Sequence, residues 1–170
     1  MPPTKISSPD GTDLKLMDLL QSDSLATAEQ LSRHVPLSPS AITRRIRRLR
    51  SDGWIERDEA VVAPKLRDAR LRAMVLVQVQ EHAEARGIAA LRARLVASHE
   101  VQLLADVTGE NDVALLISAR DMADFNAWTT RMLEGDPAVR RYETLVVKRV
   151  YKQTNSIPLL GSQSGSMQTG

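Results

Sequence analysis

The chain has 170 residues, 42% hydrophobic and 26% charged, which is enough for one medium domain or two small ones with a real core. It has no cysteine, so disulfides and thiolate metal sites are excluded, as a reducing compartment would favour. No apolar run approaches the roughly 20 residues that span a bilayer, and the opening MPPTKISSPDGTD lacks the apolar core of a signal peptide. A cytoplasmic protein with no membrane partner is expected. The net charge of +2 implies little, but its distribution is informative. Residues 1–62 hold nine basic and nine acidic residues, and five of the nine basic ones are arginines between 44 and 50. A neutral segment with one concentrated basic stretch has a local electrostatic footprint.

In chain order, Asp13–Gln21 (DLKLMDLLQ) predicts a first helix with Leu16, Met17, Leu19 and Leu20 on its apolar face. Thr27-Ala-Glu-Gln30 is a capping box that starts a second helix with Ala28, Leu31 and Val35 inward. Pro36 turns the chain. Ser38 is a strong N-cap with Pro39 at the first helical position, and the third helix runs to Asp52-Gly53. On a helical wheel Ile42, Ile46 and Leu49 face the core, while Ser40, Thr43, Arg44, Arg47 and Ser51 face away. Arg48 and Arg50 flank the outer stripe, and Arg45 lies where an acid of the first helix can reach it. Such a stripe suits a DNA major groove: arginine forks reach guanine edges or phosphates, and short hydroxyl side chains allow close approach. The alternative is a merely solvated arginine-rich face. Trp54–Val62 predicts a short hairpin, a small wing.

A polar linker over 63–71 leads to alternating patterns. Strands are expected at Ala73–Val79, Val101–Thr108, Val113–Ser118 and Tyr142–Tyr151, and helices at Ala83–Ser98 and Asp121–Leu133. The order β-α-β-β-α-β is the ferredoxin-like arrangement. The fold class is therefore α+β, an N-terminal helix-turn-helix domain (winged-helix-like, 1–62) and a C-terminal ferredoxin-like domain (72–155). Residues 156–170 are expected as a flexible tail. Both helices should lie on one sheet face. The other face, with Ala73, Val75, Val77 and Val79 among its candidates, should need a second copy to cover it. Val96 is expected inward on its helix, and Val101, Leu103, Ala105 and Val107 on one face of their strand.

The stretches Asp13 with LLQ at 19–21, LSPSAITRRIRRLRSDGWI at 37–55 and VTGENDVALL at 107–116 together resemble the Lrp/AsnC (feast/famine) family of regulators. The likeness covers residues 13 to about 152. It implies a transcriptional regulator that binds double-stranded DNA as a homo-oligomer, a dimer that often assembles into octamers. It also implies an amino acid or related small-molecule effector held between C-terminal domains. Carried onto this chain, Ser38, Ser40, Thr43, Arg44, Arg47 and Arg48 become the DNA contacts. Gly109 and Asp112 match the family's Gly-x-x-Asp loop, so Thr108, Gly109, Glu110, Asn111 and Asp112 become the effector loop. A tight turn leaves backbone N–H groups for a carboxylate, and Asp112 can hold an ammonium. The same residues also make an ordinary hairpin turn. Three positions depart from the pattern: Pro36 stands where glycine is common, Asn111 where an aromatic is common, and Leu25 where an arginine is expected.

Two other readings stay open on the residues. One is a DNA-binding architectural protein of this fold that senses nothing. The other is a small ferredoxin-like enzyme built on His34, His82 and His99. Those histidines show neither metal-ligand spacing nor a nucleophile–base pairing, and there is no Gly-rich phosphate loop. No catalytic residue, metal or cofactor is therefore expected.

Overall fold

The computed structural model describes residues 8–160 apart from 83, 85 and 86, in two units. The first comprises the chain up to Val61 together with the stretch from Gln153, and the second is Val62–Lys152.

In the first unit, α1 is Gly11–Ser22, α2 Ala28–Leu31 and α3 Pro39–Ser51. Each begins where the sequence supplies a cap. The Asp10 side chain accepts from the Asp13 N–H at 2.8 Å and the Asp13 carboxylate accepts from the Asp10 N–H at 3.1 Å. Thr27 and Gln30 cap α2 in the same reciprocal way. Gly53 (φ +78°) follows α3 in the left-handed region that glycine tolerates. Leu16, Leu20, Leu31, Val35 and Ile42 form the core of this unit, with Ile46 and Ile55 packed against it. The hairpin expected over 54–62 does not form. After Ile55 the segment has no strand, and Val61 and Val62 are exposed, so it has no apolar face to bury. Residues 156–160, part of the expected tail, run beside α1. The Gln21 amide both donates to the Ile157 carbonyl (2.9 Å) and accepts its N–H (2.8 Å). The Asp18 carboxylate accepts the N–H groups of Leu159 and Leu160. The rest of the tail, 161–170, lies outside the described residues.

In the second unit the short helix α4 (Pro64–Arg67) precedes β1 (Leu71–Val79), α5 (Ile88–Ala97), β2 (Val101–Asp106), β3 (Val113–Ala119), α6 (Met122–Met132) and β4 (Val139–Val146). The strands form one antiparallel sheet in the order β2-β3-β1-β4. This is the ferredoxin-like order, and α5 and α6 close one face. Leu91 and Leu95 of α5, Phe125, Trp128 and Met132 of α6, and Ala73, Val75, Val77, Leu115 and Ile117 of the sheet share one core. The Trp128 indole N–H donates to the Ser98 hydroxyl at 2.9 Å, so the largest core side chain has no unmet polar atom.

Several expectations need correction. Ala73, Val75 and Val77 are at most 1% exposed and face the helices, not a second copy. The open face instead carries the alternate residues, Met74 among them at 42% exposed. Along β2 the register shifts between Val101 and Leu103, which breaks the strict alternation expected there. Val101 and Leu104 pack on the core, while Leu103 and Val107 are exposed. On α5 the inward face is fixed by Ile88, Leu91 and Leu95, which leaves Val96, about 100° further round, exposed. That helix starts at Ile88, behind Gly87 (φ +89°), later than the expected Ala83. β4 lies over 139–146 rather than 142–151 because its ladder with β1 joins Val79 to Val139 and Ala73 to Val146.

Candidate functional site

The basic helix solves its own crowding problem with acids from two other segments. The Arg45 guanidinium donates to Asp10 (2.7 Å) and Asp13 (2.8 Å). Arg48 also donates to Asp13, and Arg50 donates to Asp58 at 2.8 Å. Asp13 is fully buried, so α1 presents an enclosed carboxylate to two arginines of α3. The Arg45 hydrogen bond, with the Asp13 N–H, holds the Asp10 carboxyl below its usual value.

Arg44 and Arg47 are exposed and make no ion pair among the described residues. Ser38, Ser40 and Thr43 are exposed with them. Part of their polarity serves the helix. The Ser38 hydroxyl accepts the Ala41 N–H (3.3 Å) and lies 3.1 Å from the Ser40 hydroxyl, and the Thr43 hydroxyl donates to the Pro39 carbonyl (2.9 Å). Of the six residues expected to face DNA, five share an open surface. The sixth, Arg48, is half-exposed and tied to Asp13. The pattern Asp10-x-x-Asp13 was the signal for that tie, since a box of two acids at a helix start also makes a double acceptor.

The candidate loop lies between β2 and β3. Thr108, Gly109, Glu110 and Asp112 are exposed and Asn111 is half-buried. Gly109 has φ +122°, and a Cβ there would meet nothing within 4 Å, so backbone conformation rather than space demands glycine. The Asp112 carboxylate accepts the Val79 N–H at 2.9 Å, and its own N–H donates to the Val77 carbonyl at 2.9 Å. Glu110 accepts from Arg141 (2.7 Å) through its carboxylate and from the Gln78 amide (2.7 Å) through its carbonyl. Arg141 also donates to the Gln78 side-chain carbonyl at 2.9 Å. Gln78 and Arg141, missed by sequence reasoning, hold the loop from β1 and β4. Only the strand ladder, which pairs Gln78 with Arg141, brings them there. No cluster of three metal-ligating side chains occurs among the described residues.

Residues 72–157 match the Lrp/AsnC ligand binding domain, and residues 9–56 match a winged helix-turn-helix DNA-binding domain. Over 150 residues the chain is 31% identical to an uncharacterised HTH-type transcriptional regulator of Sinorhizobium fredii, an alignment covering 88% of each protein. The chain belongs to the Lrp/AsnC family. A second relative, the leucine-responsive regulatory protein of Haemophilus influenzae, is 30% identical over 88% of this chain and 90% of its own. Among solved structures, a transcriptional regulator of Neisseria meningitidis in complex with L-Met has 28% identity and a TM-score of 0.76, covering 89% of this chain and 97% of its own. An AsnC family regulator from Agrobacterium tumefaciens, at 24% identity and TM-score 0.79 over the same shares, shows the same fold. This Lrp/AsnC protein is thus an HTH-type transcriptional regulator with a C-terminal ligand-binding domain, and the named members of its family are transcriptional regulators. No helix among the described residues is long and apolar enough to cross a membrane.

Proposed function

We propose that this regulator acts in the cytoplasm as a homodimer, able to assemble further towards an octamer, that reads double-stranded DNA with α3. Arg44 and Arg47 reach base edges in the major groove, Ser38, Ser40 and Thr43 allow the close approach, and Arg48 neutralises a phosphate from its half-exposed position. The observation that carries this reading is the division among the arginines. Folding pairs three of the five with acids and leaves Arg44 and Arg47 together on an open face. In an operator titration by footprinting, Arg44→Ala and Arg47→Ala should each lower affinity for the specific site much more than for random DNA. Equal binding by wild type and both variants would remove α3 as the reader.

The effector is an amino acid or related small metabolite held beside residues 108–112. The ligand-binding domain and the L-Met complex of the Neisseria meningitidis relative support that class. A calorimetric screen of amino acids against the full-length protein, followed by operator titrations with and without the binder, tests it. Coupling is reciprocal, so the factor by which effector changes operator affinity must equal the factor by which operator changes effector affinity. One observation favours a regulator of this fold that senses nothing: the carboxylates of Asp112 and Glu110 already have partners within the chain. If no amino acid binds, that second reading stands.

A further inference from the structure

Residues 157–160 are docked on α1 through every backbone donor they own. The Gln21 side chain accepts the Ile157 N–H (2.8 Å) and donates to the Ile157 carbonyl (2.9 Å). The Asp18 carboxylate accepts the N–H groups of Leu159 (3.1 Å) and Leu160 (3.3 Å), and Pro158 has no N–H to satisfy. Leu159 and Leu160 are half-buried there. The chain that leaves β4 therefore returns to the unit that carries α3, to which the stretch from Gln153 belongs.

Just before this clasp the chain is basic. After Glu143 the sequence contains no acid, and Lys148, Arg149 and Lys152 fall within one short stretch. All three are exposed, as is Tyr151, whose ring centroid lies 5.9 Å from the Arg149 guanidinium. Elsewhere in the second unit Arg92, Arg94, Arg120, Arg131 and Arg141 each reach an acid, whereas these three cations have no acid partner among the described residues. A run of cations is by itself only a solvated face. The clasp adds a neighbour that binds a polyanion. Lys152 precedes Ile157 by five residues and Lys148 by nine. Chain length alone keeps their backbones within about 17 and 30 Å of the Gln21 side chain. One turn of duplex DNA is about 34 Å, so phosphates within a turn of the base pairs read by α3 lie on that scale.

We propose that the segment after β4 is a second DNA-contacting element: Lys148, Arg149 and Lys152 neutralise backbone phosphates flanking the site read by α3, and Asp18 and Gln21 are the positioning residues that tie the segment to the DNA-binding unit. These contacts carry no base sequence, so they add affinity and orientation rather than specificity. The proposal rests on the reading of α3 above.

Titrations of the full-length protein against operator and random duplex over a salt series test it, on wild type, K148A/R149A/K152A, K148R/R149K/K152R, D18A/Q21A and the combination of the first and last variants, with R44A as comparator. The triple alanine variant should weaken binding to both duplexes by a common factor and flatten the slope of log affinity against log salt by roughly 2 to 3. The charge-conserving triple should keep the wild-type slope. D18A/Q21A should flatten the slope while every cation is still present, and should add little to the triple alanine variant, because the clasp acts through those cations. An unchanged slope in the triple alanine variant overturns the contacts. A D18A/Q21A effect that leaves the slope alone, or that adds in full to the triple, overturns the positioning role. Sedimentation equilibrium guards the result: a triple alanine variant that dissociates where wild type does not would assign the cations to assembly and overturn the proposal. Loss of binding to anionic-lipid vesicles with DNA binding intact would assign them to a membrane surface and also overturn it. If R44A binds like wild type while the triple alanine variant loses its slope, the reading of α3 fails and these contacts stand.

Discussion

α3 and the turn at 109–112 both crowd polar and charged side chains into a short stretch, yet folding treats them in opposite ways. On α3 the acids that answer the arginines come from elsewhere, Asp10 and Asp13 at the start of α1 and Asp58 beyond the helix, and they reach only the near side. Arg44 and Arg47 are left over. At the turn the chain closes on itself: Asp112 is bonded to β1 and Glu110 to β4. The lesson is that a charged residue's availability for a ligand is decided by what folding has already bonded to it, and composition does not record that.

The largest effect that sharpens this contrast should come from Asp13. It is buried and answers both Arg45 and Arg48, so Asp13→Ala removes the centre of the cluster. A loss of about 3 kcal/mol is expected in urea unfolding, at the low end for a broken buried pair because both arginines can swing into water. Next come the spare arginines. Arg44→Ala and Arg47→Ala should each cost roughly 1–3 kcal/mol of specific operator binding while changing stability by less than about 0.5 kcal/mol. Arg48→Ala should touch both quantities, and it should flatten the salt dependence of DNA binding. A stability loss in the Arg44 variant as large as that in the Arg48 variant would erase the distinction between paired and spare arginines.

A smaller effect separates the two roles of the turn. Asp112→Ala leaves the Val79 N–H without its acceptor and should lower stability by about 1 kcal/mol. Asp112→Asn keeps an acceptor and should keep the stability. If Asn also keeps the effector response in operator titrations, the turn is only a turn; if the fold stands and the response goes, the carboxylate holds a ligand's ammonium. The smallest effect lies on α6, where an acid serves folding alone. The Arg120 side chain and backbone N–H hold the Asp124 carboxyl at about 2, against an ordinary 3.8. A depressed carboxyl contributes stability above its unfolded value and loses it as the pH falls towards the folded one. Asp124→Asn should therefore flatten the stability curve between about pH 4 and pH 2 and leave it unchanged in shape near neutrality.

Periodicity and caps made most of the architecture legible. The capping box at Thr27–Gln30, the Ser38-Pro39 start and the apolar spacing of Ile42, Ile46 and Leu49 all act within one turn of helix, so three helices and their inward faces follow from neighbours in sequence. The β-α-β-β-α-β order is legible for the same reason. Apart from the unformed hairpin and the start of α5, which are local, the errors occur where a residue's surroundings come from far along the chain. Ala73, Val75 and Val77 alternate correctly, but alternation does not say which face the helices take. One register shift in β2 moved Leu103 outward.

By itself the sequence determined the order of the main helices and strands, though not the coil at 54–62 or the short helix α4, that α3 is basic on one side, and the family to which the chain belongs. Only the tertiary structure decided which arginines remain spare, that Arg72 is enclosed without a partner, and that Gln21 and Asp18 hold residues 157–160. The physical reason is range. Propensity, capping and periodicity act between residues three or four apart, whereas the pairing of Arg45 with Asp13 and of Asp18 with Leu159 joins groups 32 and 141 positions apart, and such proximity exists only once the chain has folded.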